Sequence, residues 1–346
     1  MGCEVTIDDI CSSVCSGGTP QKSNSEYYEN GNIPWLNTKE ISFNRIRKTK
    51  QFITEAGLRQ SSAKWVRANS VVVAMYGATA GKVAITKIPL TTNQACCNLE
   101  VDKEVADYRY IYYWFQNQYS RVLNLANGGA QQNLNAKTIK AMEIKLPNLA
   151  LQQRIANCLS AIDDEIELNI ELNGYLEELL LAYFKALTPS DNWSEGRADS
   201  FFEIGIGKTP PRKEAEWFAN NRNGNYVWLS IKDMGTPGAY SLDSSEYLTH
   251  AAVKQKNIRQ VPEGSILLSF KLTVGRVKIA ACDMTTNEAI ACFNSSDKKQ
   301  LAYIYPYLLT YDYNKLGSTS SIATAVNSKT IKAMPIVMPN SNELSL

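Results

Sequence analysis

Residues 149–187 read LALQQRIANCLSAIDDEIELNIELNGYLEELLLAYFKAL, a stretch without proline that holds a single glycine. Apolar residues recur in it at alternating steps of four and three, and this spacing is typical of a heptad seam. The seam positions are Leu151, Ile155, Cys158, Ile162, Leu172, Leu176, Leu179 and Tyr183, with interruptions at Glu165 and Asn169. The pattern predicts one helix about 57 Å long at ~1.5 Å per residue. Because a helix cannot bury its apolar stripe against itself, we expect a second helix to cover it.

The same sequence pattern lies on both sides of this helix. The hexapeptide KTIKAM occurs at 137–142 and again at 329–334, and TTNQA at 91–95 returns as TTNEA at 285–289. Three further pairs keep the same order: AGKVAI and VGRVKI, IPWLNTKEI and YVWLSIKDM, and GGTP and GKTP. The offsets stay between 190 and 194 residues, far longer than the period of a solenoid repeat. The repeat therefore predicts a duplicated domain with the long helix between the two copies.

We expect three parts in the chain: a first globular lobe at 1–148, the spacer helix at 149–187, and a second lobe at 188–346. The fold class is mixed α/β (α+β), with a compact, largely antiparallel or mixed sheet in each lobe. A β-branched run such as SVVVAMYG at 70–77 is typical of a buried strand. The segment IDDICSSVC at 7–15 predicts a short helix at the start of the first lobe.

Composition limits the class of protein. With 44% apolar and 20% charged residues among 346, the chain has the composition of an ordinary soluble protein. It holds no run of about 18 apolar residues that could span a membrane. Its N-terminus lacks the basic and apolar regions of a secretory signal. The eight cysteines form no CxxC pair and there is one histidine, so we expect reduced thiols, a cytoplasmic location and no metal site.

Charge is distributed unevenly along the chain. Residues 1–150 carry 17 Lys and Arg against 12 Asp and Glu, and residues 188–346 carry 17 against 15. Residues 151–187 instead carry 2 basic and 7 acidic side chains. Two mildly basic lobes beside an acidic helix favour a polyanion as the partner of the lobes.

Sequence patterns for catalysis are scarce. GATAGK at 77–82 lacks the spacing of a phosphate-binding loop and the Ser or Thr that follows its lysine. No GxSxG nucleophile elbow occurs, and the only histidine, His250, has no nucleophile pattern around it. TPPR at 209–212 is the string nearest to an amino-group methyltransferase motif, but it lacks the leading amide and the aromatic residue. We therefore expect no catalytic residue, no cofactor and no metal.

Polar and basic side chains cluster in the predicted turns of both lobes. Asn and Gln can bind adenine edges in two places, and Lys and Arg can bind guanine or phosphate. Loops held on a rigid sheet are a usual place for recognition, although the same residue types also build turns. The candidate DNA-binding residues are Lys39, Arg45, Arg47, Thr79, Lys82, Asn93, Gln131, Gln132, Asn133, Lys232, Lys271, Thr273, Arg276 and Asn287.

Several segments carry a resemblance to a known family. They are EVTIDDICSSVCSGGTP, IPWLNTKEI, YGATAGKVAI, TTNQA, AQQNLN and KLPNLALQQRIANCLSAIDDEIE in the first half, and GIGKTPPRKEAEWF, YVWLSIKDM and TTNEA in the second. With these segments the chain resembles the specificity (S) subunit of type I restriction–modification enzymes. Together they cover nearly the whole chain, and LPNLALQQRIANCLSAID at the junction of lobe and helix is the most specific of them.

The resemblance implies two target recognition domains, each reading one half of a split double-stranded DNA sequence. It also implies two helices that pack antiparallel and dock the methyltransferase (M) subunits, and through them the restriction (R) subunit. It implies no catalytic residues in the chain itself. Here only the first copy of the PN dipeptide runs into a long helix. We therefore expect the second helix to be absent and helix 149–187 to pair with its own copy in an antiparallel dimer.

Two other classes of protein stay open. One is a stand-alone methyltransferase or nuclease, which an activity assay on the isolated chain would reveal. The other is a coiled-coil scaffold that binds proteins without reading DNA. Salt-dependent binding to DNA separates a reader from such a scaffold.

Overall fold

The computed structural model describes residues 3–127, 134–187, 193–316, 326–340 and 343–345. The chain divides into unit 1, Met1–Ile166, and unit 2, Glu167–Leu346. The boundary falls within one long helix, so each unit holds part of that helix.

Unit 1 is built from β-sheets and mostly short helices. Its strands are β1 (Cys3–Thr6), β2 (Cys11–Ser16), β3 (Ile33–Leu36), β4 (Asn44–Ile46), β5 (Gln51–Ile53), β6 (Trp65–Val66), β7 (Val71–Ala74), β8 (Val83–Thr86), β9 (Leu90–Thr92), β10 (Cys96–Val101) and β11 (Glu143–Leu146). Its helices are α1 (Glu55–Arg59), α2 (Tyr108–Asn117), α3 (Tyr119–Asn127), α4 (Ala136–Lys140) and the start of α5 (Leu149–Ala186). The strands pair in the orders β2-β10-β7-β8-β4, β5-β3-β9-β6 and β1-β11.

The core of unit 1 lies between the sheet that contains β7 and helix α2. Strand β7 (VVVA) is buried along its whole length, as its β-branched residues predict. Helix α2 begins after Asp107, whose carboxylate accepts a hydrogen bond from the backbone N–H of Arg109 (2.8 Å). Ile111 and Phe115, one turn apart on this helix, are fully buried in the same core as Val71. Apolar and aromatic residues of α2 therefore fill the core beside the sheet.

Unit 2 repeats this architecture. Its strands are β12 (Ser194–Arg197), β13 (Glu203–Ile206), β14 (Phe218–Ala219), β15 (Tyr226–Leu229), β16 (Tyr240–Ser241), β17 (Tyr247–Leu248), β18 (Ile266–Ser269), β19 (Val277–Ala280), β20 (Thr285–Thr286), β21 (Ile290–Asn294) and β22 (Pro335–Met338). After the end of α5, its helices are α6 (Ala198–Phe201), α7 (His250–Gln255), α8 (Lys298–Thr310) and α9 (Ser328–Lys332). The sheet orders are β13-β21-β18-β19-β16, β14-β17-β15-β20 and β12-β22.

The two units share the same mixture of strand directions. In unit 1 the pairs β3–β9 and β4–β8 are parallel within otherwise antiparallel sheets. The matching pairs of unit 2, β15–β20 and β16–β19, are parallel as well. The predicted duplication, the mixed sheets and the α+β class are therefore confirmed.

The short helix predicted at 7–15 is wrong. Asp8–Ile10 form a single 3-10 turn, and the residues after it form strand β2 at the edge of the five-stranded sheet. This strand pairs antiparallel with β10, with Ser16 opposite Cys97. Serine, cysteine and valine favour helix only weakly, so pairing with a strand some 80 residues away in sequence decides the conformation.

Helix α5 spans Leu149–Ala186 and ends one residue before the predicted limit. Asn148 starts it by accepting a hydrogen bond from the backbone N–H of Leu151 (2.9 Å). The buried side chains of the helix are Gln152, Ala156 and Ser160, whereas the seam residues are exposed. No helix in the described ranges is both long enough and apolar enough to cross a bilayer.

Candidate nucleic-acid interface

The turn after strand β3 is the centre of the candidate site in unit 1. Asn37 begins a 3-10 turn at Thr38–Glu40, and its side chain accepts a hydrogen bond from the backbone N–H of Lys39 (3.1 Å). One carboxylate oxygen of Glu40 accepts from the backbone N–H of Asn37 (3.3 Å), and the other accepts from that of Lys50 (2.9 Å). These bonds fix the turn and leave the side chain of Lys39 exposed.

The GATAG turn between β7 and β8 packs against this segment. Thr79 Oγ1 donates a hydrogen bond to the carbonyl oxygen of Thr38 (2.8 Å). Lys82 Nζ donates one to Ser42 Oγ (3.3 Å). Three of the predicted contact residues, Lys39, Thr79 and Lys82, therefore come together around one turn.

Asn93 and Asn287 use their side-chain oxygens to form turns. Asn93 Oδ1 accepts a hydrogen bond from the backbone N–H of Ala95 (3.1 Å). Its counterpart Asn287 accepts one from the backbone N–H of Ala289 (3.1 Å). Both side chains therefore form turns, one of the two roles that the sequence allowed for them.

The matching loops of unit 2 also contact each other, through a different side chain. Arg276, which aligns with Lys82 in the repeat, donates from Nη1 to the carbonyl oxygen of Ile231 (2.6 Å). It therefore contacts the segment that corresponds to the Lys39 turn. The exposed predicted residues of these loops are Lys232, Lys271 and Thr273.

Arg45 binds helix α5. Its side chain is 7% exposed, its Nη1 pairs with the carboxylate of Asp164, and its Nη2 donates to the carbonyl oxygen of Ser160 (3.2 Å). The hydrogen bond from Arg45 lowers the pKa of Asp164 below its ordinary value. Arg47 is exposed on the same segment. Outside the described residues lie the predicted contacts Gln131, Gln132 and Asn133.

Further polar contacts attach the first turns of α5 to unit 1. The amide of Gln152 is fully buried and donates to the carbonyl oxygen of Pro147 (2.8 Å). Its oxygen accepts from the backbone N–H of Asp107 (3.0 Å). Further along α5, the carboxylate of Asp163 accepts a hydrogen bond from the hydroxyl of Tyr113 (2.6 Å). Together, these partly buried bonds fix how the helix leaves the lobe.

A concave pocket of about 560 Å³ lies beside the Lys39 turn. Its lining residues are Lys22, Tyr28, Trp35, Asn37, Lys39, Glu40, Lys50 and Gln51. The predicted contact list contained only Lys39 of these. The repeat, which aligns Lys22 with Arg212, and the basic run that ends at Lys50 are the signals that could have found the others. In the part of the chain that the structure describes, no group of three His, Cys, Asp or Glu is placed to hold a metal ion.

The sequence is similar to those of known proteins along most of its length. Residues 3–178 and 190–343 match the family described as Type I restriction modification DNA specificity domain. The specificity subunit of type I restriction enzyme EcoR124I/EcoR124II from Escherichia coli is 31% identical over 191 residues, which cover 51% of this chain and 47% of that protein. The specificity subunit of type I restriction enzyme MjaIX from Methanocaldococcus jannaschii is 27% identical over 333 residues, 88% of this chain and 75% of that protein.

The fold is also that of a solved structure. The crystal structure of the type I restriction–modification S subunit from M. genitalium matches with a TM-score of 0.55 at 17% identity, over 99% of this chain and 86% of that chain. The alignment with the E. coli relative spans about half of that protein's length. With two copies of the family's domain in the sequence and two matched units in the structure, the chain belongs to the type I restriction–modification DNA specificity family.

Proposed function

We propose that the chain is the non-catalytic DNA sequence-recognition subunit of a type I restriction–modification complex, acting in the cytoplasm without a cofactor of its own. Each lobe, 1–148 and 188–346, reads one half of a bipartite double-stranded target, and residues 149–187 form the spacer. The observation that carries the proposal is the pair of matched units, each with basic and polar loops around the same turn. Two copies of one reader suit a target made of two parts.

The proposed base and phosphate contacts lie on these loops. Lysine and arginine bind guanine edges or phosphate, and threonine can bind either type of base edge. The residues supported by their shared position are Lys39, Thr79 and Lys82 in the first lobe and Lys232, Lys271, Thr273 and Arg276 in the second. Arg47, Asn93, Gln131, Gln132, Asn133 and Asn287 stay predictions. Arg45 is left out of the proposed set because its guanidinium is committed to helix α5.

Helix α5 supplies the surface for protein partners in this proposal. Its seam from Leu151 to Tyr183 is an exposed apolar stripe, which favours a partner over solvent. We propose that the stripe packs against another helix, most simply that of a second copy, and that the assembly docks M subunits and through them the R subunit. The polar positions Glu165 and Asn169, near the middle of the seam, would meet in an antiparallel pair.

Methylome sequencing of a host that carries this gene with its M and R partners tests the proposed function. We expect one methylated motif made of two short blocks separated by a spacer of fixed length. Absence of any new methylated motif, in a host where the three subunits assemble, would instead favour a scaffold that binds protein and does not read DNA.

A further inference from the structure

Four positions of the unit 1 pocket have counterparts in unit 2. The repeat aligns Lys22 with Arg212, Tyr28 with Phe218, and Trp35 with Trp228. The strand register adds the pair Gln51 and Glu246. Gln51 lies opposite Trp35 in the ladder of β3 and β5. In unit 2 the carbonyl oxygen of Glu246 accepts a hydrogen bond from the backbone N–H of Trp228 (3.2 Å).

In unit 2 the side chain of Arg212 covers the two aromatic rings that correspond to Tyr28 and Trp35. The Arg212 guanidinium lies 4.6 Å from the ring centroid of Trp228 and 4.8 Å from that of Phe218. The carboxylate of Glu246 binds the same guanidinium, with 3.1 Å between Nη2 and Oε2. The charge of Arg212 is thereby compensated and its planar face is used on the rings.

In unit 1 the corresponding cation, Lys22, has no acidic partner among the residues that the structure describes. Gln51 stands where unit 2 has a glutamate, so it brings no charge. Glu40, the acidic residue of the pocket, uses both carboxylate oxygens on backbone N–H groups. Lys22, Lys39 and Lys50 are exposed, and among the described residues their ammonium groups form no ion pair or hydrogen bond.

The aromatic residues of this pocket have their polar atoms occupied. Trp35 Nε1 donates to the carbonyl oxygen of Gly18 (2.9 Å), and the Tyr28 hydroxyl donates to that of Pro20 (2.6 Å). Trp35 is also 2% exposed, so its ring offers little surface for stacking. What remains for a ligand is a set of ammonium donors, which have no acceptor atoms, together with the amide of Gln51 and the amide nitrogen of Asn37. Such a set fits an anion with several oxygens.

We propose that the unit 1 pocket binds a phosphate of the DNA backbone, and that the Arg212–Glu246 pair keeps the matching position of unit 2 from doing so. The inference rests on the proposed function and adds that the two lobes hold the DNA backbone differently. Lysine binds phosphate as a point charge, and phosphate contacts position a protein without reading sequence. The pocket therefore contributes affinity, while the neighbouring loops of Lys82 and Thr79 contribute sequence preference.

The salt dependence of binding to a duplex of random sequence measures this charge, because log K falls with log salt by about 0.9 per phosphate contact. K22Q removes one ammonium group from the pocket. Q51E places a carboxylate where unit 2 has Glu246, and so gives Lys22 a neutralising partner. We expect each variant of the full chain to reduce the steepness of the salt slope by about 0.9 and to weaken binding equally on every sequence.

The same positions of unit 2 provide matched controls. R212Q should leave the slope unchanged, because the charge of Arg212 is already compensated. E246Q should act in the opposite direction to Q51E, since it frees Arg212 and steepens the slope by up to about 0.9. All four substitutions fall on side chains at the surface, and thermal melting of each variant checks that the fold is kept.

The possible outcomes distinguish a failure of the proposed phosphate pocket from a failure of the proposed DNA-reading function. An unchanged slope for K22Q and Q51E, in a chain that still prefers its target, would overturn the pocket and leave sequence reading intact. Weakened binding to one sequence alone would make Lys22 a base contact and overturn the phosphate assignment. A wild-type chain that binds no duplex in a salt-dependent manner would overturn both.

Discussion

At the scale of single residues, the buried amide of Gln152 has the clearest structural role. Gln152 is fully buried and satisfies backbone groups of the lobe, while the next residue, Gln153, is exposed on the same helix. Two chemically identical neighbours with opposite environments make an internal comparison. Helix periodicity would not reveal this burial, because the apolar seam of the helix runs through Leu151 and Ile155, which are exposed, and not through Gln152.

Replacement of Gln152 by alanine leaves the carbonyl of Pro147 and the N–H of Asp107 without this partner in a buried place. We expect the free energy of unfolding of unit 1 to fall by about 1–3 kcal/mol, measured by denaturant unfolding. The control Q153A should stay within about 0.5 kcal/mol of wild type. Equal stability of the two variants would contradict the anchoring role of Gln152.

The pair of Arg45 and Asp164 makes the helix attachment sensitive to acid. Because the hydrogen bond from Arg45 lowers the pKa of Asp164 in the folded chain, the pair stabilises the fold above the unfolded pKa, about 3.9. That stability is lost as the pH falls through the lower folded value. The effect is modest, since the Asp164 side chain is 65% exposed.

Melting temperatures of wild type and D164N across the acid range test this linkage. We expect wild type to melt higher near neutral pH, and the gap to close once the pH falls below the folded pKa of Asp164. A gap of constant size throughout the range would show that ionisation of Asp164 does not stabilise the attachment.

At the scale of elements, what could be predicted from sequence depended on whether the pattern was local. The heptad spacing of 149–187 and the β-branched run before Gly77 gave correct elements because each pattern lies within one segment. The strand at Cys11–Ser16 was missed because its conformation depends on pairing with β10. The sequence did not predict the unit 1 pocket, for the same reason. Its cations come from three separate segments, of which the pairing of β3 with β5 brings together those of Lys39 and Lys50.

The exposed seam of α5 leads to a prediction for the element itself. L172D together with L176D would place two carboxylates in the proposed helix pair, where unpaired buried charge is costly. We expect sedimentation velocity to show a dimer of the wild-type chain at micromolar concentration and a monomer of the double variant. N173D, which adds a charge beside the seam, should remain dimeric. A wild-type chain that sediments as a monomer with its helix folded would exclude self-pairing and leave another partner for the stripe.

At the scale of the whole molecule, the duplication of a domain explains more of the fold than any single motif does. The repeat predicted two lobes before the structure, and the matched sheets confirm them down to the parallel pairs. The contact residues could be predicted only as loop positions, because turn-forming and base-binding residues are of the same types. Lys82 and Arg276 show this limit, since each holds a neighbouring loop in place as well as being a proposed contact.

In the proposed function, each lobe reads its own half of a bipartite target. Selection of bound duplexes from a random library, with the wild-type chain in its complex and with K82A and R276A in its place, tests this most directly. We predict two short blocks separated by a fixed spacer, with K82A relaxing one position of one block and R276A one position of the other, each at about 1–3 kcal/mol. A single contiguous block, or a variant of one lobe that relaxes both blocks, would contradict separate reading by the two lobes.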